Sequence, residues 1–196
     1  MSSFVPGDPA ALKTLVDAYP LCWVLSGDAD ARFATPLPLL AEEDPEGRMV
    51  SLFGHIAKSN PQQKALEREP RAAILCMGPQ GYISPRLVSS PTWGPTWNYA
   101  ACRFETTVRF VPEETEEAVW RLAAALEGAG PASWTPERMG ERYHELKHRI
   151  VAFRAEIRET HARFKLGQDE TDLVFEDIVE RLENRTLADW MTRVRS

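Results

Sequence analysis

From Arg103 to Phe110, polar and apolar residues alternate without a break. Phe104, Thr106, Val108 and Phe110 fall on one side, and Arg103, Glu105, Thr107 and Arg109 on the other. A period of two is that of a β-strand with one face in a core and the other in water. The pattern returns in Val151, Phe153, Ala155 and Ile157, which predicts a last long strand running on to Leu166. The first of these strands is expected over about Asn98 to Val111. Shorter strand-like pieces precede it at Leu21–Leu25, Arg32–Leu40, Arg48–His55 and Ala72–Met77. Turn-rich segments such as Gly27-Asp28 and Asp44-Pro45-Glu46-Gly47 separate them.

Helical signals sit at the start and late in the chain. A first helix is expected from Asp8 to Ala18, capped by Asp8, with Pro9 in the first turn and Leu12, Leu15 and Val16 as its stripe. Glu113–Glu127 has an acidic start and carries Val119, Leu122 and Leu126; a loop then leads to Pro136, which opens a helix to about Lys147. The tail from Glu176 to about Val194 reads as amphipathic, with Ile178, Leu182 and Trp190 on related turns. Strands first and helices mostly late favour an α+β fold around a small, mostly antiparallel barrel with peripheral helices. One domain over residues 1–196, ending in a helix, is expected.

Hydrophobic residues make up 43% of the chain and charged residues 27%, enough for a packed core. No apolar run approaches the roughly 20 residues that span a bilayer. The first residues lack a basic and an apolar leader region, so a cytoplasmic protein is expected. Cys22, Cys76 and Cys102 are far apart in sequence, with no CxxC pair, and read as buried reduced thiols. The net charge of −6 repels a phosphate backbone. No helix-turn-helix pattern is evident, and the most basic segment, Arg138 to Lys165, is interleaved with glutamates, which argues against direct DNA contact.

Three stretches carry possible chemistry. His144-Glu145-Leu146-Lys147-His148 satisfies HExxH, which places two histidines on one helical face. A third ligand is missing and Arg142, Lys147 and Arg149 crowd the pair, so a solvated helix is the better reading and no metal is expected. His55-Ile56-Ala57-Lys58-Ser59-Asn60-Pro61-Gln62-Gln63 reads as a strand end followed by a helix start, with Asn60 as cap, Pro61 in the first turn and Gln63 completing a capping box. Free N–H groups there, beside Lys58 and His55, would make an anion site. A well-capped surface helix with a nearby lysine explains the same residues equally well. The third stretch, Gly78 to Tyr99, is dense in Gly, Pro and aromatics and reads as a long, stiff loop up to Pro95. It suits a planar ligand, a subunit interface or a loop closed over its own core.

Taken together, Ala34-Thr-Pro-Leu-Pro-Leu39, Gly54-His-Ile-Ala-Lys-Ser-Asn-Pro-Gln62, Gly81-Tyr-Ile-Ser-Pro85, Pro95-Thr-Trp-Asn-Tyr99, Ile150-Val-Ala-Phe-Arg-Ala-Glu-Ile157 and Phe164-Lys-Leu-Gly-Gln168 run in order over most of the chain. In these motifs the sequence resembles the PaiB-type family of FMN-binding proteins and negative transcriptional regulators. The resemblance implies a split β-barrel that forms a homodimer and holds FMN between subunits, like the pyridoxamine-phosphate-oxidase-like flavoproteins. By position it implies that Thr35 and Leu37 line the flavin through backbone groups. His55, Lys58, Asn60 and Gln62 belong to the stretch that holds phosphate and ribityl chain. Ser84, Trp97 and Asn98 would shape the ring end, with Lys165 and Gln168 reaching it from the late strand, across the dimer. The family usually has histidine where this chain has Pro36, and serine where it has Gly167. A redox or sensing flavoprotein, possible as an FMN-dependent oxidoreductase, is the implied function. The alternatives are a transcriptional regulator without enzymatic activity and a haem-binding barrel that uses His55 or His161.

Overall fold

The computed structural model describes residues 4–6, 10–27, 32–128 and 130–195. Six strands make an antiparallel barrel: β1 (Leu21–Gly27), β2 (Arg32–Glu43), β3 (Met49–Ala57), β4 (Arg71–Ile83), β5 (Thr96–Phe110) and β6 (Ile150–Lys165). They close in the order β1-β2-β3-β6-β5-β4. Around them lie α1 (Ala10–Ala18), α2 (Pro61–Arg68), α3 (Thr115–Glu127), α4 (Glu141–Lys147), α5 (Asp172–Arg181) and α6 (Arg185–Arg195). The expected α+β barrel with peripheral helices is what the chain forms. No helix among the described residues is long and apolar enough to cross a membrane.

Inward positions follow the period of two. Val24 and Ile74 face each other across β1 and β4, and Ile74 faces Phe104 across β4 and β5; all three are fully buried. Gly54 lies where β3 crosses closest to β2: a Cβ there would stand 2.6 Å from Leu39 Cδ2 and 3.0 Å from the Pro38 carbonyl oxygen. The long alternating strands match expectation, with Phe104, Thr106 and Val108 buried on β5, and Val151, Phe153 and Ala155 on β6. At one end of the barrel α6 packs inward, where Trp190 meets Tyr19 and Phe164 edge-on at 6.3 and 5.9 Å.

Four expectations are corrected. Gly78–Ile83 continues β4 beyond a register shift between Met77 and Gln80, so the stretch outside strands is only 84–95. The helix expected from Pro136 to Lys147 is a 3-10 turn, Pro136–Met139, followed by α4, and Gly140 at φ +57 separates them. A positive φ suits glycine and breaks a regular helix. The tail is two helices, because Asn184 Oδ1 accepts from Leu187 N at 3.1 Å and starts a new one. Gln63 does not complete a capping box: its amide donates to Glu67 at 2.6 Å. The expected cap Asp8, Pro9 and the Asp28 turn residue lie outside the described residues.

The exterior of the barrel is divided. On the β3–β6 side, α3 covers Phe53, which is buried with Val111, Ala118 and Ala152. The Arg121 and Arg154 guanidinium carbons stand 4.7 and 4.5 Å from the Phe53 ring centre. Both arginines donate to Glu42, at 2.7 and 2.8 Å, as does the Ser51 hydroxyl at 2.6 Å. Burial opposes ionisation of Glu42, but these hydrogen bonds outweigh it and hold its carboxyl down at about 2. On the β1–β4 side the exterior is bare and apolar: Leu21 is 63% exposed, Trp23 51% and Met77 61%. Trp23 lies opposite Leu75 in the ladder, so these side chains form one patch.

Candidate functional site

Two of the family motifs meet at the end of β3. Asn60 caps α2 with its own side chain, its Oδ1 accepting from Gln62 N at 2.9 Å. Its amide nitrogen reaches across to Thr35 Oγ1 at 3.1 Å, which fixes β2 to the helix start. Gln63 N donates to the Asn60 carbonyl at 3.0 Å, and Pro61 has no N–H at all. The free donors expected at this helix start are therefore spent within the chain. Gln62 is fully buried, and its amide donates to Val24 O at 2.9 Å and Ser26 Oγ at 3.0 Å. Its side chain pins α2 to β1.

What the corner offers a ligand is Lys58 and His55. The Lys58 ammonium is exposed and donates to the His148 carbonyl at 3.0 Å, which leaves hydrogens for an anion. His55 lies opposite Ala152 on the outer side of β3, and its Nδ1 is buried with no partner. Burial pushes the His55 pKa down, so the ring is neutral. Pro36, in the place of the family's usual histidine, is exposed opposite Trp23. A cation at the surface, an orphaned ring nitrogen and an adjoining apolar wall fit a ligand with a phosphate at one end and a flat apolar ring at the other. Leu37 is half-buried beside Cys22 in the ladder.

The remaining expected residues gather elsewhere. Trp97 is 50% exposed, donates through Nε1 to Gln80 Oε1 at 2.8 Å, and meets Tyr82 with ring centres 6.0 Å apart. The Lys165 ammonium bonds the Thr96 hydroxyl and approaches the Trp97 carbonyl at 3.4 Å. Asn98 is turned into the barrel end, 1% exposed, with its amide 3.6 Å from Met191 Sδ. Ser84 caps a 3-10 turn, accepting from Arg86 N at 3.3 Å. Gln168 closes the turn after β6, its Oε1 accepting from Leu166 N at 2.7 Å. Gly167 stands in that turn at φ +86, where the family's serine would be strained.

The two groups lie at opposite ends of the same strands. Lys58 follows Ala57, which pairs with Ile150 at the start of β6, whereas Lys165 ends β6. That strand is 16 residues long, about 50 Å of contour. Within one chain Lys58 and Lys165 therefore stand at opposite ends of β6.

The segment 84–95 is tied to α5 and to the turn that precedes it. Ser89 N donates to Asp177 Oδ2 at 2.7 Å and Trp93 Nε1 to Glu170 Oε2 at 2.9 Å. The Ser89 hydrogen bond holds the Asp177 carboxyl below its ordinary range. Trp93 thus closes over the chain's own core, while Trp97 faces out. His144 and His148 are exposed on α4 and at its C-cap. Among the described residues no three His, Cys, Asp or Glu side chains gather as metal ligands.

Two features escaped the sequence reading. Leu21, Trp23 and Leu25 make β1 apolar on its outer face as well as its inner one, a signal that something other than water belongs there. The three cysteines, distant in sequence, are all buried on the neighbouring strands β1, β4 and β5, and Cys76 pairs with Cys102. The nearby Cys22 thiol and burial raise the Cys76 thiol, and burial pushes Cys102 up to about 12, so both stay protonated.

The domain family described as "Putative FMN-binding domain" matches residues 1–159. A curated relative, the protease synthase and sporulation protein PAI 2 of Bacillus subtilis (strain 168), is 27% identical over 166 residues, covering 82% of this chain and 77% of its own. That match bears out the PaiB-type resemblance. Among solved structures, the FAD and haem binding protein from Mycobacterium smegmatis superposes with TM-score 0.61 at 16% identity, over 89% of this chain and 78% of that one. The flavocytochrome Anf3 from Azotobacter vinelandii gives 0.59 at 18%, over 80% and 67%. These two likenesses are of fold.

Proposed function

This chain belongs to the FMN-binding domain family, and on that premise we propose that it holds FMN between two protomers of a homodimer. The observation that supports this most is the separation of the two residue groups along β6. In a two-fold dimer packed through the bare β1–β4 face, the Lys58 corner of one protomer meets the Trp97–Lys165 end of its partner. Lys58 holds the phosphate by a charge-assisted hydrogen bond, and neutral His55 lies beneath the bound molecule with Nδ1 available to it. Trp97 and Tyr82 of the other protomer flank the ring and exclude water from it.

Bound FMN supplies one- or two-electron redox chemistry. A redox or sensing role fits this chain better than direct DNA contact, since its net charge is −6. Haem has less support, because His161 is exposed and its Nε2 sits 3.1 Å from Glu159.

Titration of apo-protein with FMN and riboflavin tests the phosphate corner. Lys58→Ala removes one charge-assisted bond, about 1.5–3 kcal/mol, and so weakens FMN roughly tenfold to a hundredfold. Riboflavin affinity stays unchanged. Equal affinity of the wild type for both flavins would overturn the assignment.

A further inference from the structure

Strand β4 carries one residue more than β5 where the two near the Trp97 end of the barrel. Met77 pairs with Ala101 and Gln80 with Tyr99, so three steps along β4 answer two along β5. An extra residue of this kind re-aims the side chains that follow it. Before the shift the exposed residues of β4 are odd-numbered, Leu75 and Met77 among them; after it Gln80 and Tyr82 are exposed, and Pro79 and Ile83 are buried. Gly78 leaves room for the shift, since a Cβ there would stand 2.3 Å from Cδ1 of the fully buried Leu15. In an unbroken period of two, Pro79 and Ile83 would face out and Gln80 and Tyr82 would face in.

The shift thus brings Gln80 onto the face that carries Trp97. Gln80 Oε1 accepts from Trp97 Nε1 at 2.8 Å, and Tyr82, opposite Trp97 in the ladder, meets its ring with centres 6.0 Å apart. Gln80 is anchored in its turn, because its carbonyl accepts from Asn184 Nδ2 at 3.4 Å, just before α6. The Trp97 side chain is half-exposed, and a side chain that open visits several rotamers unless a specific contact selects one. We propose that Gln80 is a positioning residue for the flavin: through its hydrogen bond to Nε1 it holds the Trp97 indole in the orientation that walls the ring. This rests on the flavin site proposed above and adds to it a residue that acts only through Trp97. An indole already held loses less freedom when the ring arrives, so losing the hydrogen bond should weaken binding roughly threefold to tenfold.

Titration of the full-length protein with FMN and with riboflavin tests this in Gln80→Leu, Gln80→Glu and Trp97→Ala. Leucine keeps much of the side-chain bulk and removes the acceptor, whereas glutamate keeps an acceptor at the same reach. Gln80→Leu should weaken both flavins roughly threefold to tenfold, and Trp97→Ala should weaken both by more. Gln80→Glu should restore wild-type affinity. Gln80 is exposed, so its variants should keep the wild-type urea midpoint, which separates the effect from loss of fold. An equal loss for the two flavins also separates it from the phosphate corner, where only FMN responds. Wild-type flavin affinity in Gln80→Leu would overturn the positioning role, as would a loss in Gln80→Glu as large as that in Gln80→Leu. Trp97→Ala that leaves both affinities intact would instead overturn the flavin site at this end of the barrel, and the positioning role with it.

Discussion

The two halves of the barrel exterior solve the same problem in opposite ways. On the β3–β6 half the chain covers itself: Phe53 is fully buried beneath α3, and Arg121, Arg154 and Glu42 close a charged rim around it. On the β1–β4 half no segment among the described residues covers Leu21, Trp23, Leu75 and Met77. Both faces are apolar at their centres, so hydrophobicity alone does not decide which one is sealed within the chain. Helix α3 reaches only the first. A monomer that leaves a Trp-centred patch open presents a surface suited to a second copy.

The largest expected effect comes from breaking the covered half. Phe53→Ala removes an aromatic ring packed among Val111, Ala118 and Ala152 and sandwiched by two guanidiniums. A loss of about 3–5 kcal/mol is expected, read as a lower urea midpoint. The same operation on the bare half should act on association instead. Trp23→Glu with Met77→Glu should leave monomer stability within about 0.5 kcal/mol, since both side chains are exposed. It should also weaken dimerisation by roughly a hundredfold or more, measured by sedimentation equilibrium. Loss of fold in this variant would mean that the two halves are not different in kind.

Acid sharpens the comparison. The Glu42 carboxyl titrates at about 2 in the folded chain and at its ordinary value of 4.5 when unfolded. Its contribution is therefore complete above pH 4.5 and disappears as pH falls through 2. Glu42→Gln should lower stability by about 2 kcal/mol at pH 7, less than Phe53→Ala, and that difference should vanish toward pH 2. The smallest effect is expected at the exposed histidines of α4. His144→Ala with His148→Ala should change neither the denaturation midpoint nor flavin affinity, and bound zinc lost in that variant would reverse the reading.

How much of this was legible in the sequence depends on whether spacing or contact carried it. The alternations at 103–110 and 151–157 marked two strands because large apolar side chains recur at every second residue on their inward faces. Gly78–Ile83 read as loop because the register shift after Met77 breaks the period there. The break in the tail hid in a polar run whose Asn184 acts as a cap. At the candidate site, Asn60 as a helix cap was legible, since capping is local. That the Asn60 and Gln62 side-chain amides are spent on Thr35 and Val24 was not, because those contacts cross the fold. The separation of Lys58 from Lys165 was equally hidden, being a property of strand register.

The central claim is that each flavin site is built from opposite ends of two protomers, and mixing two defective proteins tests it most directly. Lys58→Ala protomers lack the phosphate corner, and protomers carrying Trp97→Ala with Lys165→Ala lack the opposite end. Neither alone should bind FMN at a concentration that saturates the wild type. After subunit exchange at equal amounts, half of the dimers are mixed and each regains one intact site, so flavin capacity should return to about a quarter of wild type. No recovery in mixtures shown to exchange subunits would contradict the shared site and place FMN wholly within one chain.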